Sequence, residues 1–326
     1  MAGRDFLKEK IKLITVVGPT ASGKTRLGVE LAKKYNGEVI SADSMQIYKG
    51  MQIATAKPTV EEMQGIPHHL MDFLPPDQTY SVAMFISDAK KCIEDITSRG
   101  KLPVIVGGTG LYVDSLLNNI AFHESQRSTQ ISDELWEIYY AEGVDKLLEM
   151  LKKFDGESAE RLSAERNPKR IIRAIEFYKT TGITITEQNK KSKNEESPYS
   201  PVKLGINFED RQKLYDRINQ RVDFMLEEGL VAEAKRVYNS ELSFTSVKAI
   251  GYKELFPYLK GELPLEECIE KLKQETRRYA KRQITWFKRD KEINWLYPDK
   301  AESFEELFKQ AVQITDKGLT YGQTAI

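Results

Sequence analysis

The chain has 326 residues, 40% hydrophobic and 30% charged, with 49 Lys plus Arg against 49 Asp plus Glu. Two domains of ordinary size fit that length, and the composition excludes long disorder, collagen and a protein that coats nucleic acid through bulk charge. Apolar runs such as 13–17 and 102–106 are too short to span a membrane, the charged first ten residues carry no secretory signal, and Cys92 and Cys268 are too few for a disulfide framework or a Cys-based zinc site, so a cytoplasmic protein is expected.

Residues 12–17 are a β-rich run that meets Gly18-Pro19-Thr20-Ala21-Ser22-Gly23-Lys24-Thr25, and a helical pattern follows to about Tyr35. A second strand is predicted over 38–42, ending at Asp43. Over 81–99 the apolar residues Val82, Phe85, Ile86, Ala89, Ile93 and Ile96 recur at three- and four-residue steps, an amphipathic helix that Gly100 stops. A third strand over 101–106 breaks at Gly107-Gly108-Thr109-Gly110. Strand–helix–strand alternation of this kind gives an α/β fold with a parallel sheet. Its context is that of a P-loop core.

The character changes after about Ile120. Helices are predicted over 133–153 and 167–180, and the span 131–165 holds ten acids against four bases. A polar linker is read over 190–201 and a strand over 202–208. Helices follow over 210–228, 231–238, 253–260 and 265–288. Residues 271–291 carry nine bases against two acids, an electrostatic footprint for a polyanion or else a solvated helix face. The organisation read from this is an α/β core of residues 1–121 and 200–326 closed by a basic helical region, interrupted by a helical insertion at 122–199.

The G-x-x-x-x-G-K-T pattern at 18–25, after a strand and opening a helix, is a phosphate site. Its glycines turn backbone N–H groups inward and the helix N-terminus adds positive charge. Lys24 reaches the terminal phosphate and the Thr25 hydroxyl holds Mg²⁺. Asp43 and Thr109 end neighbouring strands, where ligands of open α/β sheets bind. Asp43 reads as a metal ligand, a base, a ribose anchor or a helix cap, and Thr109 as turn chemistry or a ligand contact. On the 210–228 helix Arg221 falls at about −20° from an apolar stripe of Leu214, Ile218, Val222 and Met225. A cation there needs an anion, either a substrate phosphate or a core carboxylate, unless it snorkels to solvent. The adjacent His68 and His69 point in different directions, so a loop or supporting role fits them better than zinc.

Taken together, the stretch at 18–25, Ser-Ala-Asp-Ser-Met-Gln-Ile-Tyr at 41–48, Thr-Ala-Lys-Pro at 55–58, Pro-His-His-Leu at 67–70, Val-Gly-Gly-Thr-Gly-Leu-Tyr at 106–112, Gly-Tyr at 251–252 and Lys-Arg-Gln-Ile-Thr-Trp-Phe-Lys at 281–288 resemble the tRNA dimethylallyltransferases. The resemblance implies transfer of a dimethylallyl group from dimethylallyl diphosphate to N6 of the adenosine just 3′ of the anticodon, with Mg²⁺ assisting. It implies that the P-loop residues Gly18, Thr20, Ala21, Ser22, Gly23, Lys24 and Thr25 hold the diphosphate, with Thr25 on the metal. Asp43 is then the general base, flanked at the diphosphate by Thr109 and Arg221. It also implies tRNA contacts from Asp43, Ser44, Met45 and Gln46, from Lys169, Arg170 and Arg173, from Lys248, Gly251, Tyr252 and Lys253, and from Lys281, Arg282, Gln283, Trp286 and Lys288. The short, bacterial type is expected, because the Cys and His of a family zinc finger are missing, and the protein is expected to be a monomer.

Two rival readings remain at this stage. A P-loop kinase for a small molecule or nucleotide would use the loop, Asp43 and Mg²⁺ equally well, but it leaves the basic helix unexplained and lacks an arginine-bearing lid after the third strand. A non-catalytic RNA-binding or ATP-switch protein would not need the strand-end Asp43 and Thr109.

Overall fold

The computed structural model describes residues 10–120, 128–193, 196–243 and 246–320. The described residues divide into two compact units at Leu117/Asn118 and Ser197/Pro198. The sequence reading put these boundaries a few residues later, at 122 and 199.

The first unit opens with β1 (Ile11–Val17), α1 (Lys24–Lys34), β2 (Gly37–Ser41), α2 (Val60–Met63), β3 (His68–His69), α3 (Val82–Ser98), β4 (Leu102–Gly107) and α4 (Gly110–Leu117). The second unit holds α5 (Thr129–Lys152), α6 (Gly156–Glu165), α7 (Pro168–Thr181) and α8 (Ile185–Lys193). The chain then returns to the first unit with β5 (Tyr199–Ile206), α9 (Arg211–Glu227), α10 (Leu230–Tyr238), α11 (Phe256–Leu259), α12 (Leu265–Phe287), β6 (Asn294–Leu296) and α13 (Phe304–Thr320). Among the described residues no helix is long and apolar enough to cross a membrane.

The six strands form one parallel sheet in the order β3-β2-β4-β1-β5-β6. β1 is central, with Val16 facing Val106 of β4 on one side and Leu204 of β5 on the other. Helices cover both faces of such a sheet, so its strands read as continuous apolar runs rather than alternating ones. Ile14, Val16, Leu27, Leu31, Val104 and Leu204 are fully buried in one cluster on the α1 side. Pro201 is accommodated in β5 because β6 pairs only from Leu204 onward, so the missing N–H removes no ladder bond on that edge.

Several elements lay outside the sequence reading. β3 and β6 have two and three residues, too short for any periodic signal. Asp155 caps α6 by accepting the Ser158 N–H at 3.0 Å. Ile185–Lys193 is helical where a linker was expected from residue 190. α11 is a single turn rather than the predicted helix over 253–260. The second unit packs its own core from Leu135, Leu147, Leu151, Leu162, Ile171 and Ile175, and its longest helix is interrupted at Gly143.

β4 ends where Gly107 passes Ala42, and a Cβ on Gly107 would lie 2.2 Å from the Ala42 carbonyl oxygen. Gly107→Ala must therefore prise β2 and β4 apart at their carboxyl ends. It is expected to cost about 1–3 kcal/mol of stability, read as a lower urea midpoint at unchanged m-value.

Candidate active site

The loop between β1 and α1 is bent by residues with positive φ: Gly18 at 147°, Ala21 at 61° and Gly23 at 94°. Gly18 sits so tightly on the end of β5 that a Cβ would lie 2.3 Å from the Ile206 carbonyl oxygen. Gly23 precedes α1 without a side-chain cap, and no acidic residue stands in the first turn, so the helix leaves its terminal N–H groups for an external anion. The Ser22 hydroxyl is buried with no hydrogen-bond partner among the described residues. Lys24 folds back over the loop and donates to the Pro19 carbonyl at 2.6 Å. Burial pushes its ammonium down to about 8, with Asp43 opposing that shift and Arg221 adding to it.

Asp43 follows β2. Its Oδ1 accepts the Met45 N–H at 2.9 Å and the Gln46 N–H at 3.4 Å, while Oδ2 takes no hydrogen bond among the described residues. One oxygen thus shapes the turn and the other is uncommitted among the described residues, so capping the turn does not exclude a role as a base. Thr109, at the end of β4, ties this turn down: its Oγ1 accepts the Ser44 N–H at 3.1 Å, and its own N–H donates to the Ala42 carbonyl at 3.2 Å.

Arg221 reaches the site from α9 and makes no ion pair or hydrogen bond among the described residues. Burial lowers its pKa against the pull of Glu62 and Asp43. Its neighbour one turn back, Arg217, donates from Nε to the Ala21 carbonyl at 3.0 Å and so fixes α9 to the P-loop. Lys24 and Arg221 are two desolvated cations that share Asp43 as a neighbouring carboxylate, and neither is ion-paired with it among the described residues, an arrangement that an anionic ligand completes.

Sequence reasoning missed the part that holds these loops together. Gln283 of α12 is 5% exposed. Its Oε1 accepts the Thr20 N–H at 2.9 Å and its Nε2 donates to the Gly108 carbonyl at 3.0 Å, bridging the P-loop to the glycine turn after β4. One turn before it, the Tyr279 phenol is pushed up by burial and by the Asp43 charge. The signal was present in the spacing, since Ala280, Gln283 and Phe287 share the buried face of α12.

Among the described residues no group of three or more His, Cys, Asp and Glu could hold a metal ion. Thr25 lines a cavity of about 20 Å³ with Ser41, Gln46 and His68, whose Nε2 is buried without a partner. One hydroxyl beside a phosphate cradle suits Mg²⁺, which keeps most of its waters and binds through substrate phosphates. His68 Nδ1 donates to the Ile66 carbonyl at 2.8 Å, and His69 Nε2 meets buried Glu38 at 2.7 Å, so both histidines support β3 and neighbouring loops.

Comparison with known proteins decides the family. The family described as IPP transferase matches residues 46–290, and the one described as isopentenyl transferase matches residues 11–74. The chain belongs to the IPP transferase family. It is 49% identical to a tRNA dimethylallyltransferase of a Thermoanaerobacter species over 93% of this chain and 97% of that one. The full-length tRNA isopentenylpyrophosphate transferase of Bacillus halodurans superposes with a TM-score of 0.70 at 43% identity, covering 96% of this chain and 99% of that one. A eukaryotic dimethylallyltransferase, solved in crystallographic snapshots of its action on tRNA, gives a TM-score of 0.79 at 30% identity, covering 95% and 80%.

For this family member the residues expected at RNA separate into two groups. Lys281 and Arg282 on α12 and Lys288 just after it are exposed and make no ion pair among the described residues. Earlier on the same helix Lys273 pairs with Asp223 at 2.7 Å and Arg277 donates to Asn219 at 2.5 Å, both on α9, whereas the exposed Arg278 pairs with Glu275 of its own helix at 2.6 Å. Gln283 and Tyr252 are buried in this structure, with their polar groups engaged inside the protein. Trp286 is half-buried, donates to Asp114 at 2.6 Å and lies against Gly110. Lys253 is exposed beside Glu254, whereas the side chain of Lys248 lies outside the described residues. Lys169, Arg170 and Arg173 stand on α7 of the second unit, where Arg170 pairs with Glu165 and Arg173 with Glu176.

The lowered Lys24 pKa has a consequence for binding. A diphosphate at the loop favours the ammonium and raises its pKa, so between about pH 8 and the ordinary lysine value of 10.5 binding takes up a proton at Lys24. Well below pH 8 the group is already charged and takes up none. Calorimetry of inorganic diphosphate binding in buffers of different ionisation enthalpy should show this uptake near pH 9 in the wild type, and Lys24→Met should lack it.

Proposed function

We propose that this enzyme transfers the dimethylallyl group of dimethylallyl diphosphate to N6 of the adenosine immediately 3′ of the anticodon in tRNA and releases diphosphate. The observation that carries the reading is the pairing of an uncapped phosphate cradle with a strand-end aspartate whose second oxygen is free. Lys24, Arg221 and the loop N–H groups face the charge that grows on the leaving diphosphate, where fixed donors act most strongly. The exocyclic amine is a weak nucleophile, and an allylic carbon tolerates cationic character, so the C–O bond to diphosphate breaks as the N–C bond forms. Asp43 Oδ2 accepts the proton that the amine sheds, which requires it to lie within hydrogen-bond reach of that amine.

Thr25, with the phosphate oxygens, would hold Mg²⁺. When bound, that ion neutralises diphosphate charge and assists departure. Thr109 holds the Asp43 turn against β4 beside the diphosphate. The adenosine must leave its stack to reach N6-transfer distance, as for other base-modifying enzymes. The exposed Lys281, Arg282 and Lys288 then grip RNA backbone. A metabolite kinase is not favoured, since the relatives named above are prenyl transferases.

Purified enzyme, unmodified tRNA and labelled dimethylallyl diphosphate should yield labelled RNA without ATP; labelling that requires hydrolysable ATP would overturn the proposal. Asp43→Ala should lower single-turnover rates by roughly 10²–10⁴-fold while tRNA and diphosphate affinities stay within a few-fold. Arg282→Ala with Lys288→Ala should weaken tRNA binding and make the slope of log K against log salt shallower by about 1 to 2. An unchanged slope would mark α12 as a solvated face.

A further inference from the structure

Two motifs have no place in the chemistry so far: Thr55-Ala56-Lys57-Pro58 and Gly251-Tyr252. Glu233 on α10 connects them. It is 1% exposed, and its carboxylate accepts the backbone N–H groups of Gln52 at 3.0 Å, Ile53 at 2.9 Å and Ala54 at 3.1 Å, together with the Tyr252 hydroxyl at 2.7 Å. Three consecutive amides converging on one anion form a nest, filled here by the chain's own side chain. Gly251 at φ 109° lets the backbone pass so close that a Cβ would lie 2.6 Å from the Ala54 Cβ.

The loop passes this restraint on to the active site. The carbonyls of Thr55 and Ala56 accept from the Gln46 amide at 3.3 and 3.0 Å. Gln46 Oε1 accepts the Ser41 hydroxyl at 3.1 Å, and the Gln46 N–H reaches Asp43 Oδ1. Lys57 fastens the far end to the Tyr48 carbonyl and to Asp72. A continuous series of hydrogen bonds therefore runs from α10 through residues 52–56 to the turn that carries Asp43.

We infer that Glu233 is a positioning residue for the Asp43–Gln46 turn, and that Tyr252 and Gly251 serve this clamp rather than the RNA. The inference rests on the proposed transfer to tRNA, because the turn it holds is the one that receives the adenosine. The diphosphate cradle hangs from different supports, Gln283 and Arg217, so loosening the clamp separates the two substrates. A glutamine at 233 keeps the volume but turns an NH₂ toward amides that need an acceptor.

The test compares wild type with Glu233→Gln and Tyr252→Phe by single-turnover transfer, tRNA affinity, inorganic diphosphate affinity and hydrogen exchange. Glu233→Gln should lower the single-turnover rate or tRNA affinity by roughly tenfold or more, speed exchange of the 52–54 amides and leave diphosphate affinity within about twofold. Tyr252→Phe keeps the carboxylate and its three amides and should show the same pattern with a smaller loss, which carries the test should Glu233→Gln fail to fold. Transfer rate and tRNA affinity at wild-type levels in the variants, or diphosphate affinity falling in parallel, would overturn the clamp. A wild type that binds diphosphate but not tRNA would instead overturn the proposed function, and the purpose of the clamp with it.

Discussion

Three neighbouring parallel strands, β2, β4 and β1, end at the same edge of the sheet, and each ends in a turn that the next one touches. Gly107 passes against Ala42, Thr109 reaches across to Ser44, and Gln283 joins Thr20 to Gly108. Parallel strands deliver their carboxyl ends together because every crossover returns the chain to the same starting edge. The phosphate loop, the acidic turn and the glycine turn are therefore one assembly. Small residues are required wherever backbone meets backbone, which is the physical reason for glycine at 18 and 107.

The electrostatic arrangement follows from that geometry. Two cations, Lys24 and Arg221, are brought out of water beside a bent loop, and the carboxylate they share, Asp43, commits an oxygen to its own turn. Such a site is costly while empty and is relieved by a multiply charged anion. That imbalance suits a reaction in which charge accumulates on a departing diphosphate.

The C-terminal half of the first unit supplies no strand-end ligand, yet it sets where the loops stand. α9 contributes Arg221 and pins Ala21 through Arg217. α12 inserts Gln283 between two loops while presenting Lys281, Arg282 and Lys288 to solvent. α10 offers the buried Glu233 to the 52–54 amides. One helix can do both tasks on α12 because its faces differ: Ala280, Gln283 and Phe287 lie inward at three- and four-residue steps, and the basic residues occupy the positions between them.

By itself the sequence determined the alternation of strand and helix, the phosphate loop with its strand and helix flanks, the strand-end Asp43 and Thr109, and the placing of Arg221 at the edge of an apolar stripe. Each of these is a local pattern, with a period or a spacing that the chain carries over a few turns. Tertiary structure decided what local pattern does not encode. The strands at His68–His69 and Asn294–Leu296 exist only because a longer strand lies beside them to pair with. Gln283 and Tyr252 are polar residues in motifs rich in charge, which reads as an RNA surface until packing shows them inside. The backbone amides that Glu233 accepts from lie about 180 residues away in the chain, and a hydrogen bond of that span leaves no trace in spacing or composition.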